Sequence, residues 1–293
     1  MNFADKYRIV ERTGDQKRRK FNEVFIVESK VTGEKAILKT LSKTTDNFHL
    51  QQRLKSEASF EFNLDGLPRT LDLFETDHEL FLVRSFQPGI PLNAFIKEVK
   101  QKDKPGFILQ LLNGLTPIFT ELEKQQVVHL DIKPSNILID RQPDGFRVSL
   151  IDFGLSLRLN EEVNRKTLFP LGYAAPELLL NRLHLADHRT DQFALGVVIW
   201  QCFTGNLPLL NPHPGIMTNL QLTHPLPEHD EIRKKYFRVL ERMCHKYVFS
   251  KPPNQLPAEE QDRLLKSALE QRYASFDEVI QDWETALQKR WYF

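Results

Sequence analysis

Short alternations of apolar and polar residues run through positions 7 to 86. YRIVER, EVFIVES and EKAILKTL are rich in β-branched and large apolar residues and predict strands, the last two joined by KVTG as a hairpin loop. TLDLFE and LFLVRSF predict a second pair around the polar TDHE. Between the two hairpins, FHLQQRLKSEASFEFNL (48–64) lacks Gly and Pro and predicts one helix. Beyond residue 92 the period lengthens. GFILQLLNGLTPIFTELEKQQ places Ile108, Leu111, Leu112, Leu115, Phe119 and Leu122 on one face of an amphipathic helix. TDQFALGVVIWQCFTG is apolar almost all round and predicts a helix buried in the core. Residues 206–230 and 250–260 are Pro-rich and predict loops between helices, and no repeat or low-complexity segment interrupts the pattern. A β-rich half and a helical half therefore meet at QPGIPL (87–92), where a hinge is expected.

Composition narrows the class. With 293 residues, the chain can bury about 75% of its unfolded surface as one large domain or two lobes. Forty basic against 39 acidic residues leave a net charge of +1, which disfavours a dedicated nucleic-acid binder. Cys202 and Cys244 are too few and too far apart for a disulfide framework or a zinc site. MNFADKYRIV does not read as a charged-then-apolar leader. The longest apolar run, FALGVVIWQCF, falls short of the roughly 20 residues of a membrane span. A soluble, cytoplasmic protein without membrane or nucleic-acid partners is the expectation.

The candidate chemistry lies in VVHLDIKPSNILID (127–140). NILID and FRVSLID read as strands separated by RQPDG, whose Asp-Gly is a tight-turn signal. Paired as an antiparallel hairpin, they put the start of the first strand beside the end of the second. Asn136 stands at that start and Asp152 follows that end, with Asp131 and Lys133 on the preceding loop. An amide oxygen and a carboxylate are hard ligands suited to Mg²⁺, which also takes oxygens from a substrate phosphate. The same residues could equally form a polar turn capping two core strands.

Context decides between these readings. HLDIKPSN, IDFG (151–154), AILK (36–39) and AAPE (174–177) resemble, in order and interval, the signature set of eukaryotic-type protein kinases. DQFALG (191–196) and QRYASFDEV (271–279) are similar to that family's later landmarks. The resemblance runs from about Tyr7 to about Leu287. It implies an α+β, bilobal protein-kinase-like fold over 1–293. A small β-rich N-lobe with one main helix would span about 1–86, a hinge about 87–92, and a larger, mainly helical C-lobe about 93–293. This agrees with the two halves read from the hydrophobic pattern alone.

The resemblance also implies roles. Lys39 pairs the α- and β-phosphates of ATP, and Glu57 holds that lysine, with Glu61 one turn later as the alternative. Asp131 is the catalytic carboxylate that accepts the hydroxyl proton. Lys133 neutralises the transferring phosphoryl group and favours Ser/Thr over Tyr substrates. Asn136 and Asp152 hold Mg²⁺. His129 and Asp191 are expected to be structural supports of the loop, and Glu177 with Arg272 a buried ion pair fastening the activation segment. The expected partners are ATP and a protein substrate.

Several positions depart from the family pattern. Where kinases carry GxGxxG over the phosphates, TGDQKRRKFNEVF keeps only Gly14, with Asn22 at the third glycine and about three extra residues. Glycines let backbone amides approach phosphates, so a longer loop with Lys17, Arg18, Arg19 and Lys20 cannot cradle them in the same way. It reads either as a solvated basic tip or as a contact for phosphate or an acidic partner. Pro170 replaces the threonine usual in Ser/Thr members, and Arg84 falls where the back of the adenine pocket is lined. Leu130 stands where kinases commonly have the arginine that binds a phosphorylated activation loop, so that form of switching is not expected. The chain accordingly reads as an active or weakly active protein kinase. The alternatives are a pseudokinase acting as scaffold or allosteric partner, and a small-molecule phosphotransferase of the aminoglycoside-kinase kind; AAPE, Lys133 and DQFALG speak against the latter.

Overall fold

The computed structural model describes residues 3–13, 22–159 and 169–288, and the chain divides into two compact units. The first comprises residues up to Pro88 together with Ser149–Gly154; the second comprises Gly89–Val148 and the chain from Leu155 onward.

In the first unit a turn of helix α1 (Phe3–Lys6) leads into an antiparallel sheet of five strands. These are β1 (Tyr7–Thr13), β2 (Asn22–Ser29), β3 (Lys35–Ser42), β4 (Thr70–Glu75) and β5 (Glu79–Ser85), in the order β1-β2-β3-β5-β4. Helix α2 (Phe48–Ala58) connects β3 to the β4–β5 hairpin. The period of two sorts the side chains onto two faces. Ala36, Leu38 and Val83 pack with Phe3, Tyr7 and Val27, whereas Leu41, Leu80 and Leu82 pack with Leu54 of α2. Lys39 lies between Leu41 and residue 37 in this alternation and pairs with Leu82 across the strands, so the pleat delivers its side chain to the face that α2 covers.

Helix α2 is shorter than the Gly- and Pro-free run 48–64 predicts. It stops at Ala58 because Phe60 and Phe62 are both buried against Phe153, at centroid distances of 6.1 and 4.7 Å. Residues two apart point to nearly opposite sides of a helix but to the same side of an extended chain, so only the extended form buries both rings together. The segment Ser149–Gly154 joins this unit through Leu150, whose amide donates to the Gly66 carbonyl at 2.8 Å.

The second unit opens with β6 (Ile90–Pro91) and α3 (Leu92–Phe95), followed by α4 (Lys104–Lys124), β7 (Val127–Val128) and the strands β8 (Ile137–Gln142) and β9 (Gly145–Leu150), the last two residues of β9 belonging to the first unit. Gly89, at φ 116°, is required here: a Cβ would meet the Ile139 carbonyl atoms at 2.8 Å. The apolar face expected for α4 is buried throughout, joined by Phe107 and Ile118. β8 and β9 are neighbours in one sheet across the turn Pro143-Asp144, as the Asp-Gly signal predicts. A two-residue strand β10 (Leu157–Arg158) pairs antiparallel with β7.

The rest is helical: α5 (Pro176–Leu179), α6 (His188–Thr204), α7 (Pro214–Thr223), α8 (Lys234–Met243), α9 (Ala258–Leu269) and α10 (Phe276–Gln288). Helix α6 is buried along nearly its whole length, capped by Asp187 at its start and by Gly205 at φ 78° at its end. Helix α7 corrects the expectation of a loop over 206–230. Its ten residues contain proline only at the first position, where the missing N–H is no loss, and they bury Met217 and Leu222. Prolines on either side of a segment can delimit a helix as well as forbid one. Among the described residues, no helix is long and apolar enough to cross a membrane.

Candidate active site

Two constellations of charged side chains result, one in each unit. In the first, Lys39 Nζ donates to both carboxylate oxygens of Glu57, at 2.6 and 2.8 Å, and to Asp152 Oδ1 at 2.8 Å. Burial by itself would depress the Lys39 ammonium, but the charges of Asp152 and Glu57 outweigh it and hold its pKa above the usual lysine value. Glu57 is the partner of the lysine; Glu61 lies exposed past the end of α2, outside any helix or strand. Asp152 has a left-handed backbone at φ 71°, a conformation that aspartate tolerates better than most residues. It is steadied by its neighbours, since Arg53 Nε donates to the Gly154 carbonyl at 2.9 Å and Phe153 packs against both Phe60 and Phe62.

Arg53 was not singled out from the sequence. It precedes Glu57 by four residues on α2, one helical turn, so both reach the same face, and that spacing was the available signal. Arg84 is wholly enclosed. It donates to the carbonyls of Glu57 and Pro68 and to Thr70 Oγ1, and its guanidinium lies 6.0 Å from the centre of the Phe153 ring.

In the second unit, the loop between β7 and β8 carries Asp131, Lys133 and Asn136 in direct contact. Lys133 Nζ donates to both oxygens of Asp131, at 2.9 and 2.7 Å. Asn136 Nδ2 donates to the Asp131 backbone carbonyl and to its Oδ2, both at 2.9 Å. With the amide hydrogens committed, Asn136 Oδ1 is the atom left to meet a cation, which suits a hard-oxygen donor set. The loop is held from below. Asp191 on α6 accepts the amides of His129 at 2.7 Å and Leu130 at 2.8 Å, and His129 Nδ1 accepts the Asp131 amide at 3.2 Å. His129 is completely buried, in keeping with the supporting role expected of it.

Leu130 enters an apolar cluster with Leu155, Leu157, Phe169, Ala174, Leu178 and Leu183. Glu177 and Arg272 form a bidentate ion pair at 2.7 and 3.1 Å, each side chain 1% exposed; Thr190 Oγ1 also donates to Glu177, at 2.9 Å. Gly14, the basic run Lys17–Lys20 and Thr167 lie outside the described residues.

Comparison with known proteins settles the family. The protein kinase domain family matches residues 18–271, most of the chain. The chain belongs to the protein kinase family. This kinase is 32% identical over 192 residues to the serine/threonine-protein kinase ppk25 of Schizosaccharomyces pombe, a match covering 64% of this chain and 44% of that protein. It is 31% identical over 196 residues to myosin light chain kinase 2 of Bos taurus, covering 65% of this chain and 30% of that one. Against the Aurora kinase of Saccharomyces cerevisiae it is 28% identical over 201 residues, covering 64% and 51%. The matches thus span between 30% and 51% of these relatives' own lengths. The five-stranded sheet of the first unit and the helices of the second are the α+β architecture of this family.

Proposed function

We propose that this kinase transfers the γ-phosphate of Mg-ATP to Ser/Thr hydroxyls of a protein substrate. The observation that carries the reading is Lys39, held at 2.6–2.8 Å by Glu57 and Asp152 rather than left as a solvated strand lysine. A lysine so placed is charged, oriented and partly desolvated, which is what binding to phosphate oxygens requires. Glu57 fixes its position, and Asp152 in the first unit and Asn136 Oδ1 in the second are each hard oxygens of the kind Mg²⁺ takes. Bound Mg²⁺ would neutralise phosphate charge. Asp131 would accept the proton of the attacking hydroxyl while Lys133, already on that carboxylate, screens the charge of the transferring group. Catalysis of this kind rests on positioning and electrostatics, and both constellations are pre-positioned by their own hydrogen bonds.

Ser/Thr preference is supported by Lys133 and by the likeness to the serine/threonine-protein kinase ppk25; Pro170, in place of the usual threonine, weighs the other way. The near-neutral charge supports a protein rather than a nucleic-acid partner, and cytoplasmic action away from membranes is part of the same proposal. The phosphate loop, reduced to Gly14, is what favours a pseudokinase instead.

One experiment separates the two: Mg²⁺-dependent phosphate transfer from γ-labelled ATP to a generic basic protein and to the kinase itself. Asp131→Asn keeps the shape and loses the base, so turnover is expected to fall about 10²- to 10⁴-fold with ATP affinity little changed. Folded wild-type protein that transfers no phosphate would establish the pseudokinase reading.

A further inference from the structure

Arg84 is a cation enclosed at the end of β5, 2% exposed, with no carboxylate among its hydrogen-bond partners. Taking a guanidinium out of water is costly, so a buried arginine needs acceptors of well-matched geometry. Arg84 finds them in two main-chain carbonyls and one threonine hydroxyl. Nη1 donates to the Glu57 carbonyl at 2.6 Å and to Thr70 Oγ1 at 3.1 Å, and Nη2 donates to the Pro68 carbonyl at 2.5 Å. Thr70 Oγ1 in turn donates to the Ala58 carbonyl at 2.9 Å. The carbonyls of Glu57 and Ala58 are among the last of α2, which have no partner within the helix and carry the negative end of its dipole. A cation there is favoured on both counts.

The placement follows from the sheet. Arg84 shares with Leu80 and Leu82 the face of β5 that α2 covers, and it pairs with Ile37 on one side and Thr70 on the other. Glu57 is therefore gripped at two points: its carboxylate by Lys39 and its carbonyl by Arg84. Two cations, Lys39 and Arg84, stand against two anions, Glu57 and Asp152. The guanidinium also backs onto Phe153, the residue after Asp152.

We infer that Arg84 is a positioning residue: by clamping the C-terminal end of α2 to β5, it holds the Glu57 carboxylate on Lys39 and keeps the lysine aligned. The inference rests on the reading of Lys39 as the phosphate-binding lysine, but the clamp itself can be tested without catalysis.

The test is the rate at which an amine-acylating ester modifies individual lysines of the folded, nucleotide-free protein, followed by peptide mass mapping. Acylation consumes a neutral amine, so a lysine held by two carboxylates reacts slowly. Arg84→Met is expected to raise the Lys39 rate about tenfold, the effect of losing roughly one charge-assisted hydrogen bond, and to leave Lys104 and Lys124 within about twofold of wild type. Glu57→Gln is expected to raise the Lys39 rate as well, and the double variant to add nothing further, since both act through the same contact.

An unchanged Lys39 rate in Arg84→Met, a parallel rise at Lys104, or independent multiplication of the two effects would overturn the assignment. Should Arg84→Met not fold, Arg84→Lys carries the comparison under the same criteria, because it keeps the charge and loses the fork that reaches three acceptors. Phosphate transfer is measured alongside. Altered Lys39 labelling in a protein that never transfers phosphate would remove the proposed function and leave the clamp standing. Normal transfer with unaltered labelling would do the reverse.

Discussion

Asp191 holds Leu130 in a left-handed turn: its Oδ1 accepts the Leu130 amide at 2.8 Å, and Leu130 has φ 63°. A β-carbon is disfavoured there by about 1–2 kcal/mol, so the conformation persists only because other interactions outweigh it. Those interactions are the two amides on Asp191 and the burial of the leucine among residues that come before and after positions 160–168. Where an arginine would reach for phosphate, an apolar side chain packs the two arms of the same segment directly.

Phosphate-independent activity is the expected consequence. Phosphatase-treated protein is expected to keep its basal turnover, and Thr167→Ala to change it by less than about threefold, or ~0.7 kcal/mol in barrier. Leu130→Ala, which opens a cavity in the cluster, is expected to cost about 2–5 kcal/mol of stability in urea denaturation. Loss of activity on phosphatase treatment, with a phosphate mapped to Thr167, would show that another basic group reads it.

Asp191 gives a dependence on pH. Burial pushes its carboxyl up to about 7 against the opposing effect of the two amides. A carboxyl with a raised folded-state pKa binds its proton more tightly when folded. Its contribution is thus fully present below about pH 4 and lost as pH rises through about 7. Between these values it lowers stability by at most about 1.4 kcal/mol per pH unit. Asp191→Asn, which cannot titrate, is expected to flatten the profile of unfolding free energy across this window. An unchanged slope would place the titration on another group.

The Glu177–Arg272 pair is enclosed on all sides, and Arg272 also donates to the His245 and Arg189 carbonyls. Arg272→Ala leaves a buried carboxylate without its counter-charge and is expected to destabilise the fold by about 3–5 kcal/mol in chemical denaturation. A fully stable variant would mean that the pair contributes nothing net.

Metal dependence can be read without turnover. A ligand bound only to the native state raises the melting temperature by mass action, so ATP is expected to raise it more with Mg²⁺ than without. Asp152→Ala is expected to abolish the difference. Equal shifts with and without metal in the wild type would remove Asp152 and Asn136 as ligands.

Much of this was legible in the chain. β4 starts and ends where TLDLFE does, and the buried faces of α4 and α6 follow the apolar pattern, because local periodicity is what a sheet face or helix stripe reads. The order of HLDIKPSN, IDFG, AILK and AAPE pointed to the family that residues 18–271 match. The early stop of α2 and the presence of α7 were not legible, since the first depends on Phe153, more than ninety positions along the chain, and the second on burial of Met217 and Leu222.

The sequence by itself determined most of the element types, the family and the identity of the charged groups available for chemistry, all of which are written in residue type and short spacing. Tertiary structure alone decided that Glu57 and not Glu61 holds Lys39. It also decided that Arg84 donates to the Glu57 carbonyl at the end of α2, and that Leu130 is buried in an apolar cluster. Each of these turns on which groups burial brings together from distant positions. The energy of a buried charge or an enclosed side chain depends on those neighbours and cannot be read from the residue alone.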